Sequence, residues 1–243
     1  MANYLNLPTL EANFLAPLRT TFDVSGSSID GGRNGNGESQ TIELSGGGLV
    51  TATYEDCKIR DPEQYEYVNY LGARFNGGFR FINVPIITDW FGPFPKGGNI
   101  PMPFIRPIPH SDGAYFSDGA GYSQASVWGE ITAAASLNSG VISMRVYGLS
   151  RALRWSDWFS IYHQTKGWRA YRYWDVLSRD DGDGFADYTL ALAPPLREAV
   201  AVGTRVEFAR PRFVAKFKAD FTLPSVVEAF FVTTQTIQFS EAF

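Results

Sequence analysis

Ile142-Ser143-Met144-Arg145-Val146-Tyr147 alternates apolar and polar side chains with a period of two. That is the spacing of a strand with one buried face. The same period recurs along the chain. Val50, Ala52 and Tyr54 alternate with Thr51, Thr53 and Glu55, and Tyr188, Leu190 and Leu192 form one face of a further run. Phe213, Ala215, Phe217, Ala219 and Phe221 alternate with Val214, Lys216, Lys218 and Asp220, and Thr236-Ile237-Gln238-Phe239-Ser240 closes the series. Trp158-Phe159-Ser160-Ile161-Tyr162 and the aromatic run Trp168–Val176 read as strands, with turns at Asp180-Asp181-Gly182-Asp183-Gly184 and Pro194-Pro195. From about residue 126 onward the pattern is mostly β. Short strands with turn signals at this spacing predict a β-sandwich or a small barrel. No repeat of 20–50 residues is visible.

The N-terminal half is more mixed. Residues 25–48 are rich in Gly, Ser and Asn and read as a long loop that orders in an assembly, with a strand at Thr41–Leu44. Asp61-Pro62-Glu63 opens the best helix, predicted over 62–73. Asp61 suits the N-cap, Pro62 the first helical position, and Glu63 the positive helix end. Gly72 or Gly77 is the expected stop, and Tyr67, Tyr70 and Leu71 share one side at i, i+3, i+4. Phe79, Phe81 and Val84 fall in a strand ending before Pro85. Residues 92–113 hold four Gly and six Pro and read as an extended arm or loop.

Composition narrows the function classes. The 243 residues carry 21 Lys+Arg and 25 Asp+Glu, a formal charge of −4, and 15% are aromatic. Only 19% are charged, below the roughly 25% usual for soluble domains. Such a chain buries a large core and still leaves aromatic surface, which suits a subunit of an assembly. Slight acidity without a basic stripe argues against nucleic-acid binding. No run approaches the ~18 apolar residues of a membrane span, and Met1-Ala2-Asn3-Tyr4 lacks the basic and apolar regions of a secretory signal. One cysteine, Cys57, excludes an internal disulfide framework and a thiolate metal cluster within the chain.

Chemistry-bearing clusters are sparse. Pro109-His110-Ser111-Asp112-Gly113 gathers His, Ser and Asp in one loop, but adjacent residues rarely meet as nucleophile and base, and no Gly-x-Ser-x-Gly elbow is present. It reads as a turn. Asp180–Asp187 holds four carboxylates, but from Asp181 a calcium frame puts Phe185 at position 5 and Ala186 at position 6. An exposed hairpin turn is the better reading. Gly46-Gly47-Gly48 fits no phosphate-loop spacing. His163, Lys166 and Arg169 lie near the aromatics Trp158, Tyr162 and Trp168. That trio is a candidate aromatic surface for stacking a sugar or nucleotide, or a plain strand pair joined by a solvated turn at His163–Gly167. Cys57 reads as an inert thiol. No catalytic residue, cofactor or metal is expected, and the chain is not expected to be an enzyme.

Several segments, in order, resemble one family. They are Gly46-Gly47-Gly48-Leu49 before a strand, the run Tyr67 to Phe81, Trp158-Phe159-Ser160-Ile161, and Tyr171-Arg172-Tyr173. Ala193-Pro194-Pro195-Leu196-Arg197-Glu198-Ala199 and the terminal Ile237-Gln238-Phe239-Ser240-Glu241-Ala242-Phe243 follow. Together they resemble distal tail, or baseplate ring, proteins of long-tailed bacteriophages over roughly residues 40–243. The resemblance implies a virion structural protein of the tail tip, made in the host cytoplasm. It implies a homo-oligomeric ring, a hexamer or alternatively a trimer, that joins the tail tube protein to the tail-tip hub protein, with the tape measure protein as a further partner. A related tail-tip family with an iron–sulfur cluster needs several cysteines, so that cofactor is not carried over.

The expected architecture is therefore mainly β with one or two helices, an α+β chain. Residues 1–90 with the strands of 200–243 form a ring-building sheet-plus-helix domain. Residues 91–125 form the arm, and 126–199 form a peripheral β domain. The helix supplies the candidate oligomer interface, Tyr67, Tyr70, Leu71, Arg74 and Phe75; the alternative is a helix covering its own sheet. The competing function is a carbohydrate-binding module that stacks sugars on Trp128, Trp155, Trp158 or Trp168. A hydrolase built on His110 and Asp112 ranks last.

Overall fold

A computed structural model describes residues 3–26, 28–43, 47–226 and 233–243. In chain order the elements are α1 (Ala12–Leu15), β1 (Arg19–Ser25), β2 (Ser28–Arg33), β3 (Ser39–Glu43), β4 (Leu49–Ile59), α2 (Pro62–Phe75) and β5 (Ile82–Pro85). Then come β6 (Lys96–Gly97), β7 (Ile100–Pro101), β8 (Phe104–Ile108), β9 (Tyr122–Ala125), β10 (Trp128–Ala133), β11 (Val141–Tyr147) and β12 (Phe159–His163). The last are β13 (Gly167–Asp181), β14 (Phe185–Ala193), β15 (Arg205–Glu207), β16 (Arg212–Phe217) and β17 (Thr233–Glu241). The protein is mainly β, with two helices among the described residues. Neither helix is long and apolar enough to cross a membrane.

The chain divides into two compact units. The first comprises residues up to Ile86, the segment His163–Arg169 and Arg212 onward; the second comprises Ile87–Tyr162 and Ala170–Pro211. Residues 200–211, expected with the ring-building part, belong to the second unit because β15 is a stave of its barrel. The β12–β13 turn, expected in the peripheral domain, belongs to the first.

The first unit holds a five-stranded antiparallel sheet in the order β1-β4-β17-β16-β5. On β4 the alternation puts Val50, Ala52 and Tyr54 inside, and then the phase shifts so that Cys57 and Ile59 are inside as well. The shift is a bulge: Gln235 pairs with Cys57 but Ile237 with Tyr54, and Asp56 takes a φ of 51°. One extra residue on the strand restores an inward phase. The helix α2 runs two residues past the expected 73 and buries Gln64, Val68, Leu71, Gly72 and Phe75. Asp61 is its N-cap residue and Pro62 opens it. The side chain of Gln64 closes the first turn: its Oε1 accepts from the Arg60 amide at 2.8 Å while its Nε2 donates to the Phe14 carbonyl at 2.7 Å. Gly72 does not stop the helix. A Cβ there would stand 2.9 Å from the Leu223 carbonyl oxygen, so glycine permits a close approach of that segment. Asn76, the C-cap, clamps it, accepting from the Leu223 amide at 2.9 Å and donating to its carbonyl at 3.2 Å.

Two local expectations are corrected here. Phe79 and Phe81 precede the strand, which begins at Ile82 and includes Pro85. Residues 25–48 are not one loop: β2 and β3 form a hairpin in which Ile29 faces Ile42. Leu44 and Gly46 lie outside the described residues.

The second unit is a closed barrel in the order β10-β11-β14-β13-β12-β15, which settles the choice between sandwich and barrel. Inward residues fill it: Ile131, Ile142, Met144, Val146, Phe159, Ile161, Tyr171, Tyr173, Tyr188, Leu190, Leu192 and Val206 are all buried in one cluster. Of the Ala193–Ala199 segment, Leu196 belongs to this core. Leu196 is fully buried and its amide donates to the Ser139 carbonyl at 3.0 Å, while the Arg197 amide donates to Tyr171 Oη at 3.0 Å. Residues 92–125 depart from the expected plain arm. Phe94 packs into the barrel core, and β8 and β9 pair as a two-stranded ribbon. β13 is longer than the sequence suggests: Leu177–Asp181 continue the strand with every residue exposed.

Candidate interaction surfaces

Helix α2 splits the five residues read as an oligomer interface. Leu71 and Phe75 are fully buried in the chain's own core, so neither is available to a neighbour. The 100° step of the helix turns them inward, beside Val68 and Gln64, and leaves Tyr67, Tyr70 and Arg74 on the flank. Those three form a fixed plate. Tyr67 Oη accepts from the Glu11 amide at 3.0 Å, and burial pushes its phenol above the usual value. Tyr70 stacks on Tyr67 with ring centroids 6.2 Å apart, and Arg74 donates to Tyr70 Oη at 2.5 Å. Tyr70, Ala73, Arg74 and Arg80 line an open concavity of about 440 Å³. The Arg80 guanidinium lies 5.0 Å from the ring of exposed Phe79.

The aromatic trio is not one platform. Trp158 is buried, with the Arg172 guanidinium 5.7 Å from its ring. Trp168 is half-buried, and Arg212 lies 4.4 Å over it. Tyr162 alone of the three is exposed. Their alternation with buried neighbours is the ordinary period of a strand, so the sequence cannot separate ring faces that meet solvent from those that meet arginine. Of the polar residues read with them, His163 and Arg169 are buried.

On the outside of the barrel, two rows of side chains cross the strands. Trp128 faces Tyr147 and Tyr147 faces Phe185; two residues along each strand, on the same face, Arg205, Glu130, Arg145 and Asp187 face one another in turn. Opposite residues on neighbouring antiparallel strands share a face and interact directly. Here Trp128 stacks on Tyr147 at 4.3 Å, Tyr147 Oη donates to Glu130 at 2.8 Å, and Arg145 donates through two nitrogens to Asp187, each at 2.8 Å. The Arg145 guanidinium lies 4.0 Å from the Phe185 ring, and Arg205 5.3 Å from Trp128. This bidentate pair holds the Asp187 carboxyl below its ordinary value and raises that of the Arg145 guanidinium. These contacts link the rings and charges of the two rows across β15, β10, β11 and β14.

The sequence clusters that suggested chemistry resolve into turns. His110 lies edge-on to Phe116 and Tyr122, with centroids 4.8 and 4.9 Å away, and its Nδ1 is 3.2 Å from Tyr122 Oη. Asp112 accepts from the Ala114 amide at 2.9 Å, two residues on, which is the hydrogen bond of a turn. Asp181, in the acidic β13–β14 turn, pairs with Arg179 at 2.7 Å. Among the described residues no group of three or more His, Cys, Asp and Glu side chains is arranged to hold a metal ion. Cys57 is fully buried and burial pushes its thiol up to about 11.

What the surface does present is exposed apolar side chains. Ile29 and Ile42 face each other on the β2–β3 hairpin at 53% and 55% exposure. Trp90, Phe91, Tyr115, Phe116, Tyr122, Trp155, Trp174 and Leu177 of the second unit are exposed too. No protein-family model matches the chain and no curated protein matches it either.

Proposed function

We propose that the protein is a structural subunit of a phage tail tip: a distal tail protein whose copies close a ring between the tail tube and the tail-tip hub, and which performs no reaction of its own. The observation that carries this reading is the β2–β3 hairpin. A two-stranded hairpin is marginal in water by itself, and this one holds the Ile29–Ile42 pair open to solvent. Buried against a neighbouring chain, the pair becomes part of an interface core. The exposed aromatics of the second unit support the same reading, because a subunit enclosed by other chains needs apolar surface on several sides. So does the resolution of the His110 and Asp181 clusters into turns.

The segments that carry the family resemblance support it as well. Leu196, within Ala193–Ala199, sits in the barrel core, and Glu241 of the C-terminal segment is buried in an ion pair with Arg169. A change at Leu196 or Glu241 is costly because each side chain is buried. The ring is a homo-oligomer, a hexamer in the first instance and a trimer if it matches a threefold hub, and its site is the virion. Antibody labelling of intact tails tests this: gold particles at the tip, and none along the tube, are expected. Absence of the protein from purified tails overturns the reading.

A second reading, carbohydrate binding by the second unit, is favoured by Trp155, which is exposed. It predicts glycan-array binding that is lost on Trp155→Ala. Binding unaffected by that change, or no binding at all, removes it.

A further inference from the structure

We infer that the concavity on α2 is an anion-recognition site, and that its occupant is the acidic β13–β14 turn of a second copy of this chain. The inference rests on the ring reading and specifies one contact within it.

Two guanidiniums line this concavity, and among the described residues neither Arg74 nor Arg80 has a carboxylate within 4.0 Å. Arg80 Nη1 donates to the Arg74 backbone carbonyl at 3.4 Å, which ties the second guanidinium to the end of the helix. Arg74 is also held ready. Its guanidinium is fixed by Tyr70 Oη at 2.5 Å and lies 5.6 and 5.5 Å from the rings of Tyr70 and Phe75. Tyr70 is in turn stacked on Tyr67, whose hydroxyl is bound to the Glu11 amide. A side chain ordered before the partner arrives loses less entropy on binding. Guanidinium geometry also suits a carboxylate, which it meets with two parallel hydrogen bonds.

The complement lies on the same chain. Asp180, Asp181 and Asp183 put three carboxylates within four positions, at the exposed end of a strand whose last five residues are all solvent-facing. Asp181 is committed to Arg179, but Asp180 and Asp183 have no cationic partner within 4.0 Å among the described residues. Exposed Leu177 stands three residues before Asp180, and the exposed Phe79 ring lies 5.0 Å from the Arg80 guanidinium, so each charged segment also carries an apolar side chain. A basic hollow and an acidic ribbon at different places on one chain make a heterologous contact, the kind that closes a ring when the rotation fits.

Charge reversal tests it on the full chain, with the oligomer read by native mass spectrometry and the fold by circular dichroism. Arg74→Glu/Arg80→Glu and Asp180→Lys/Asp183→Lys are each expected to raise the dissociation constant at least tenfold, and the four changes together to restore assembly. The aspartates sit in an exposed turn, so that variant reports even if the helix variant fails to fold. Assembly unchanged by Asp180→Lys/Asp183→Lys overturns the contact and leaves the ring standing. Disruption by Asp30→Lys/Glu38→Lys on the β2–β3 hairpin, rescued by the arginine reversals, reassigns the site to that hairpin and also overturns it. A wild-type chain that stays monomeric overturns contact and ring together.

Discussion

Arg169 and Glu241 form an ion pair of 3.1 Å with both side chains fully buried. The arginine comes from the start of β13 and the glutamate from the last residue of β17, 72 positions later. Arg169 also donates to the Ala242 carbonyl at 2.6 Å and to that of Lys166 at 3.0 Å, and it lies 5.4 and 4.9 Å from the rings of Tyr4 and Phe243. Glu241 accepts from the Val50 amide at 3.2 Å. One pair thus ties the N-terminal segment, the β12–β13 turn and the C-terminus of the first unit.

Breaking that pair from one side leaves a buried charge without its counter-ion. Such losses cost about 3–5 kcal/mol, whereas replacing both members by apolar residues is often near neutral. Arg169→Met alone is expected to lower the urea midpoint sharply, and adding Glu241→Leu to recover most of the loss. Equal midpoints for wild type and the single variant would contradict this assignment.

Acid sensitivity of the barrel should run through Asp187. Its carboxyl titrates below the ordinary value of 3.8 in the folded chain because Arg145 hydrogen-bonds to it. A lowered folded value means that the unfolded chain binds the proton first. The stabilisation is therefore complete above about 4 and is lost as pH falls through the folded value. The site is about one-third exposed, so the effect is modest. Thermal melts from pH 6 to pH 2 are expected to fall less steeply for Asp187→Asn than for wild type. Identical slopes would remove Asp187 from the acid response.

Cys57 should be chemically silent while the first unit is folded. Burial raises its thiol to about 11, so almost no thiolate exists at pH 8. Labelling by a thiol-specific disulfide reagent is expected only in denaturant. Stoichiometric labelling of the native chain within minutes would contradict the burial.

Exposed apolar pairs can be separated from core residues by measuring stability and assembly together. Ile29→Thr/Ile42→Thr, which adds no like-charge pair across the hairpin, is expected to weaken self-association while leaving the melting temperature of the dissociated chain unchanged, because surface changes usually stay within about 0.5 kcal/mol. Phe75→Ala, by contrast, should cost about 3–5 kcal/mol of stability because its ring is fully buried and lies 5.9 Å from that of Phe217. A stability loss from the isoleucine variant would mean that the hairpin packs on its own chain.

These contrasts mark what the sequence could and could not reveal. Period-two alternation located β4, β11, β14 and β17, because each buries one face against a core. Asp61-Pro62 located the start of α2. Closure of the barrel was invisible, since β15 is only three residues long and its partners β10 and β12 are distant in sequence. The β2–β3 pairing was hidden by glycines that signal turns as readily as strands. On α2 the i, i+3, i+4 rule grouped Leu71 with Tyr67 and Tyr70, but it cannot say where the core-facing arc ends; Gln64, a buried polar cap, was the missing clue. Arg169 and Glu241 were missed as a pair because nothing local to either residue marks its partner. A buried arginine reads in sequence like an exposed one.

The mass of the purified chain in native mass spectrometry at physiological salt bears most directly on the central claim. A closed ring requires a discrete species at six times the 27.0 kDa chain mass, or three times for a threefold hub. A single species of 27.0 kDa at every concentration, with the exposed Ile29–Ile42 pair tolerated in solution, would contradict it.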